Sequence, residues 1–305
     1  MATKATFVRC ETMMVREPIA AGRFYEADPV RCRRALHQLL SISTVDLDPF
    51  EGKVVAGLVP HAGWVCSGAV AARVFQTMAA SGNKPATIIV FGGVHRYRGR
   101  QAALFAEGRW ETPLGSVEID ARLAERVMAN TSLVVNDPYA HEGEHSIEVQ
   151  MPFLQYLFPE SRVLPIMVPP GSTAGEVGEA VARTLSTYRY DAIVVGTTDL
   201  THYGPGYGFT PHGIGAKGNE WAMKVNDARF VGLVCDMQAE RVVEEARQNK
   251  NACSSGAVAA TIAAARRLGA SRGVVLQRTS SSEVLSKTMG VVQNDSVGYA
   301  GIVFS

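Results

Sequence analysis

Residues Val54–Trp64 read VVAGLVPHAGW. From Val54 to Val59 no polar residue interrupts the run, which suits a strand covered on both faces rather than one that alternates inside and out. Pro60 stops it, and His61 follows at once. A buried strand therefore delivers one histidine to a sheet edge. The same grammar recurs twice. Ala86–Phe91 (ATIIVF) ends in Gly92-Gly93-Val94-His95, and Asp191–Val195 (DAIVV) ends in Gly196-Thr197-Thr198-Asp199, with His202 three residues on. In open parallel sheets, ligands bind outside the carboxyl ends of the strands. If the three strands are parallel, the three imidazoles share one edge. Any one alone reads as a loop histidine with a structural hydrogen bond. Three of the chain's seven histidines at equivalent positions point to a site.

Around these strands the pattern predicts helices over Asp28–Leu40, Gly68–Ala80, Arg122–Ala129, Ser146–Phe158, Ala174–Thr187, Val231–Arg247 and Ser255–Leu268. Asp28 and Pro29 open the first of them as cap and first-turn residue. Further strands are expected at Arg162–Val168, Gly273–Gln277 and Val297–Phe304, and a polar irregular stretch from His95 to about Ile119. Apolar strands alternating with helices predict a three-layer α/β/α architecture with a largely parallel or mixed sheet, its C-terminal pairings open to being antiparallel. No linker or repeat divides the chain, so one domain is expected over 1–305, with 1–15 a flexible tail.

Composition narrows the function. The chain has 305 residues, 47% hydrophobic and 19% charged, with net charge +1. That balance gives no electrostatic case for nucleic acid or an anionic membrane surface. No apolar run has the length of a membrane span, and the start lacks the apolar core of a secretory signal. Five scattered cysteines without a CxxC pair suggest neither a zinc ribbon nor a disulfide framework, so a cytoplasmic setting is expected.

Other residues add chemistry. Asp199 precedes His202 by three positions, where a carboxylate can orient the imidazole, take a proton itself, or cap a turn. Cys253, in NACSSGAVAATIAAARRLG, enters a helix whose N-terminus favours a thiolate for metal ligation or attack; a small buried residue is the plainer alternative. His141-Glu142-Gly143-Glu144-His145 spells HExxH. That motif needs both histidines on one helix, and Gly143 lies ahead of the helical periodicity, so the match is read as accidental. His145 and Glu148 would share a helical face as a two-residue ligand pair. Neither GxxxxGK[ST] nor GxGxxG follows a strand, so nucleotide binding has no support.

REPIAAGRFYEADP, VPHAGWVCSG, GGVH, EHSIEVQMPFL, TTDLTHYG and NACSSGA occur in this order, and together they resemble the Memo family, whose bacterial and archaeal members are often called AmmeMemoRadiSam system protein B. The resemblance runs from about Arg16 to Phe304. It implies the LigB-like fold of the class III extradiol dioxygenases. It implies that His61 and His95 are metal ligands, with Cys253 where the ring-cleaving enzymes carry glutamate, and that His202, Asp199 and His145 line the same pocket. Phe24 stands where vertebrate Memo proteins carry a tryptophan implicated in peptide binding, a departure that weakens the carry-over of phosphopeptide binding.

Two histidines with a charged third ligand suit Fe(II) and oxygen; a thiolate makes the site softer and brings copper and zinc into competition. The expectation is a dioxygenase using O₂ on a phenolic, catechol-like or other aromatic molecule. In it His202, oriented by Asp199, moves the substrate proton, and His145 is a second candidate for that role. Trp64, Tyr97 and Tyr203 are candidates for an aromatic wall. The alternatives are a non-catalytic module that holds metal or peptide, and a zinc hydrolase.

Overall fold

The computed structural model describes residues 14–42, 53–290 and 293–305. A short first strand, β1 (Val15–Arg16), precedes helix α1 (Pro29–Ser41); the site-bearing strand β2 (Ala56–Val59) and helix α2 (Trp64–Ala80) follow. Next come β3 (Thr87–Gly92), β4 (Ala102–Leu104), β5 (Arg109–Thr112), β6 (Gly115–Glu118), α3 (Ala121–Asn130) and β7 (Val134–Asn136). The middle of the chain supplies α4 (Met151–Leu157), β8 (Arg162–Met167), α5 (Ala174–Tyr188), β9 (Ala192–Thr197) and β10 (His202–Tyr203). Last are α6 (Ala216–Trp221), α7 (Asp227–Cys235), α8 (Ala239–Asn249), α9 (Ser255–Arg267), β11 (Gly273–Ser280), α10 (Ser281–Met289) and β12 (Ser296–Phe304). Most of the expected tail lies outside the described residues, and its last residue, Val15, pairs with Arg109 in the small sheet β1-β5-β6.

The large sheet runs β10-β12-β2-β9-β3-β8-β4-β7, with β11 added on β12. Its centre, β2-β9-β3-β8, is parallel, whereas β12 pairs antiparallel with β2 and β11, and β4 antiparallel with β8. The mixed sheet is flanked by helices on both faces, the expected three-layer α/β/α fold. Strand β3 shows why its sequence does not alternate. Ile88 and Val90 pack into the core shared with α1, α2 and α4, while Ile89 and Phe91 pack into the core shared with α3, α5 and α9. Both faces are buried, so the run from Ile88 to Phe91 is apolar throughout.

Four expectations need correction. The stretch to Ile119 is not irregular: it holds β4, β5 and β6, strands of three or four residues too short to show a period. The helix expected over Val231–Arg247 is two, α7 and α8, broken at Met237, whose φ is +58°. Helix α2 starts at Trp64 rather than Gly68, because the Trp64 N–H is taken by the Phe24 carbonyl at 2.8 Å. The helix expected from Ser146 begins as a 3₁₀ turn, Glu148–Gln150, and becomes α-helical at Met151, with Pro152 tolerated in its first turn.

Strand β9 inserts between β2 and β3, which places three strand ends side by side. Val59 pairs with Thr197, and Phe91 with Gly196. His61, the Gly92–His95 turn and Thr197–His202 therefore leave the sheet at one edge. Among the described residues, no helix is long and apolar enough to cross a membrane.

Candidate metal centre

Two glycines let three segments meet at the end of β3. A Cβ on Gly92 would overlap Ile147, and one on Gly93 would overlap the Ser254 side chain. The glycines of FGGVH thus admit the loop carrying His145 and the turn carrying Cys253. Ser146 Oγ, accepting from the Gly93 N–H at 3.1 Å, fixes the approach.

Three imidazoles converge there. The donor atoms of His61, His95 and His145 all lie within 4.8 Å of one another. Cys253 Sγ stands 3.2 Å from His61 Nε2 and hydrogen-bonds His95 as well. The expected pairing of His61 with His95 and Cys253 is therefore in place geometrically. His145, expected as a proton carrier, lies among the donors.

Each histidine is held from behind. His61 Nδ1 is 2.8 Å from Thr197 Oγ1, and its N–H donates to Asp199 Oδ1 at 2.8 Å. His95 Nδ1 faces Glu144 Oε1 at 3.0 Å, and the His95 N–H donates to Glu144 Oε2 at 2.9 Å. Glu144 Oε1 also accepts the N–H groups of His145 (2.9 Å) and Ser146 (2.8 Å). With Nδ1 engaged, Nε2 is the atom that His61 and His95 each present to the pocket. Glu144 and Thr197 were not singled out in the sequence, although Glu144 sits inside the HExxH match.

The electrostatics follow these contacts. Burial works against protonation of His95, but hydrogen bonds to Cys253 and Glu144 prevail and lift its pKa to about 9. Burial opposes ionisation of Glu144 too, yet the bonds from His95 and the backbone hold its carboxyl well below the usual range. Burial first, and His61 second, push His145 down to about 4, so it is neutral at pH 7.

Other expected residues are placed differently. His202 is not held by Asp199: its Nδ1 lies 3.0 Å from the Leu200 carbonyl, while Asp199 Oδ1 accepts the backbone N–H groups of His61 and Ala62. Burial lowers the pKa of His202, with Asp199 acting in the opposite sense through its charge alone. Glu148 does not pair with His145 as a ligand, since both its oxygens are taken by Arg16, Tyr25 and the Ile19 and Ala20 N–H groups. HExxH forms no helix: Gly143 has φ +75°, and His141 turns its Nε2 to the Ala103 carbonyl. Trp64 packs on Tyr25 and Phe153 and donates to the Val149 carbonyl, and Tyr203 is buried with its hydroxyl on the Gly213 carbonyl. Tyr97 is partly buried and packs against the hydrophobic core. The rings that do touch the site's histidines are Phe24, 4.6 Å from His145, and Tyr207, 5.1 Å from His202.

The loop bearing Asp199 and His202 has a buried anchor. Asp227 Oδ1 accepts from Thr201 N at 2.9 Å and Thr201 Oγ1 at 2.5 Å. Burial lifts the Asp227 carboxyl to about 7 despite these bonds. The folded state thus holds this proton more tightly than the unfolded chain, whose aspartate titrates near ~4. The sign follows: stability is highest below ~4 and falls as pH rises toward 7, by on the order of a few kcal/mol. Asp227→Asn keeps an acceptor for Thr201 and removes the titration. Urea unfolding at pH 5, 6, 7 and 8 should show the variant gaining on the wild type up to pH 7 and level beyond. A difference independent of pH would contradict this.

The donors fit a metal ion: three imidazoles, with Nδ1 of two of them fixed so that Nε2 is free, and a sulfur against the same pocket. Comparison with known proteins agrees with the architecture. The Memo-like protein family matches residues 16–303. A MEMO1 family protein of Methanopyrus kandleri is 35% identical over 300 residues, covering 95% of this chain and 99% of its own. One from Thermococcus onnurineus is 34% identical with the same coverage. Among solved structures, an uncharacterized Escherichia coli K12 protein superposes with TM-score 0.52 at 11% identity, over 83% of this chain and all of that one, a likeness of fold alone.

Proposed function

The chain belongs to the Memo family, and from that membership and the converging imidazoles we propose that it is a metal-dependent oxidoreductase, a dioxygenase acting on a phenolic, catechol-like or other aromatic small molecule. The observation that carries this reading is the gathering of His61, His95 and His145 within 4.8 Å, with Cys253 Sγ beside them. These four residues would hold the metal. Fe(II) is the ion we propose, with copper and zinc as competitors. When bound, the metal supplies a Lewis acid and a redox partner for O₂. The free thiols Cys32, Cys66, Cys235 and Cys253 support a cytoplasmic setting.

The chain's own residues do the rest. Phe24 and Tyr207 offer ring surface on the His145 and His202 sides. His202 gives its Nδ1–H to the Leu200 carbonyl, which leaves Nε2 as a base, and its lowered pKa keeps that base unprotonated at pH 7. It accepts the substrate hydroxyl proton, and the charge of Asp199 favours the imidazolium so formed. His145, neutral as well, is committed to holding the metal.

A hydrolytic reading has one observation in its favour, because three imidazoles are also a zinc set. Both readings meet in one experiment. The protein is loaded anaerobically with Fe(II), exposed to O₂, and followed by O₂ uptake with a panel of catechols and indoles; a zinc-loaded sample is assayed against esters. Substrate-dependent uptake that falls at least about 100-fold in His61→Ala is expected. Ester hydrolysis without uptake would favour the zinc reading. Metal binding with neither activity would overturn the enzymatic reading in favour of a binding module.

A further inference from the structure

Arg16 is a cation buried far from the metal donors in sequence, and the proposed mechanism does not use it. It is 5% exposed, its guanidinium lies 4.7 Å over the Trp110 ring, and its contacts are unusually specific. Nη1 donates to Glu148 Oε2 at 2.6 Å and to the Glu17 carbonyl. Nη2 donates to the Glu144 carbonyl at 2.7 Å and to the His141 carbonyl at 3.3 Å. One fork thus ties the strap that follows β1 to both ends of the segment 141–148. Glu148 completes the tie, receiving the N–H groups of Ile19 (3.0 Å) and Ala20 (2.7 Å) and the Tyr25 hydroxyl (3.0 Å).

The segment so held controls two of the three imidazoles. Glu144 carries the carboxylate that orients His95, and His145 is its neighbour in the chain. A shift of the Glu144 carbonyl moves both. A buried ion pair is weak evidence for stability, because desolvation of both charges offsets their attraction. Its use is in fixing geometry, and only a planar guanidinium can meet two carbonyls and a carboxylate in one fork. We propose that Arg16 is a positioning residue for the metal centre, acting through the Glu144 carbonyl to set where His95 and His145 present their donor nitrogens. This inference rests on the metal reading above.

The test compares Co(II) affinity, by titration of the full-length apo protein, with thermal stability. Arg16→Lys keeps the charge facing Glu148 and loses the fork. We expect its Co(II) affinity to fall by about 10- to 100-fold, the range for residues that orient ligands, while the fold is retained. Tyr25→Phe serves as the structural control. It removes one hydrogen bond to Glu148 and leaves both carbonyl contacts, so its melting temperature should drop with affinity within twofold of wild type. If Arg16→Lys does not fold, the charge-balanced pair Arg16→Met with Glu148→Gln replaces it, with the same loss expected. A folded Arg16 variant that binds Co(II) as tightly as wild type would overturn the positioning role. So would an affinity loss in Tyr25→Phe equal to that in the Arg16 variant, since stability alone would then explain both. A wild-type protein that binds no Co(II) would overturn the metal reading itself, a result distinguishable from either.

Discussion

Glu144→Gln is expected to weaken Co(II) binding by roughly 10- to 100-fold, the range for a group that orients metal donors. The reason is a count of hydrogen bonds. Glu144 accepts from four N–H groups: His95 N, His95 Nδ1, His145 N and Ser146 N. A glutamine offers one oxygen and one NH₂. Whichever way the amide is flipped, its NH₂ faces donors on one side, either those of His95 or those of the 145–146 turn. One donor histidine then loses its support.

The loss should grow with pH. In the wild type His95 holds its proton to about pH 9, so a metal must displace it, and affinity rises by about tenfold per pH unit below that value. Without the carboxylate, the His95 pKa falls and this competition weakens. The variant is thus partly relieved at pH 6–7 and shows its full deficit near pH 9. Stability of the apo protein carries the complementary signature. The Glu144 contribution is present above ~4.3 and is lost as pH falls through its depressed value. The His95 contribution is full below ~6.5 and lost as pH rises through about 9. Titrations with Co(II) at pH 6, 7.5 and 9 decide the point: a ratio of affinities that does not widen with pH would contradict the pairing of Glu144 with a protonated His95.

What the sequence discloses about this site depends on distance along the chain. His61 and His95 are legible because each follows a continuous apolar strand, and burial on both faces is written in that continuity. Their supports are not. Glu144 lies 49 residues from His95 and Thr197 lies 136 from His61, so no spacing rule connects them; the pairing of β9 with β2 brings Thr197 to His61, and the glycines ending β3 admit the loop that carries Glu144. Asp199 and His202 are close in sequence, which suggested a bond. Yet the backbone after β9 turns the carboxylate toward the N–H groups of His61 and Ala62 instead. The same limit explains the fold. Strands buried on both faces and long helices are read correctly, whereas β4, β5 and β6 are too short for a period to register, and the break at Met237 leaves no glycine or proline to announce it.

Cys253 offers the second large effect, because its sulfur is either a ligand or a neighbour. It accepts the Asp199 N–H at 3.3 Å and stands 3.2 Å from His61 Nε2, so a metal on the imidazoles would sit within its reach. If the sulfur ligates, bound Zn(II) should suppress alkylation of Cys253 by iodoacetamide at least about tenfold, since the thiolate that reacts is the thiolate that binds. Cys235, also half-buried and remote from the site, should react at its usual rate, and peptide mapping reads both from one sample. Cys253→Ala should then lower Zn(II) affinity by more than about 100-fold, exceeding the loss for a residue that only orients a ligand. The two measurements constrain each other. A metal that binds tightly while Cys253 alkylates at the apo rate, with Cys253→Ala unchanged in affinity, would leave the three imidazoles as the whole donor set. The set would then be neutral, and imidazoles alone suit zinc, copper and iron alike, so O₂ uptake rather than ligand charge would separate the zinc reading from the redox one. Protection with loss of affinity would put an anionic sulfur on the metal beside the imidazoles, a softer set in which copper and zinc compete more strongly with iron, and the identity of the ion that supports O₂ uptake then decides the reading of this centre.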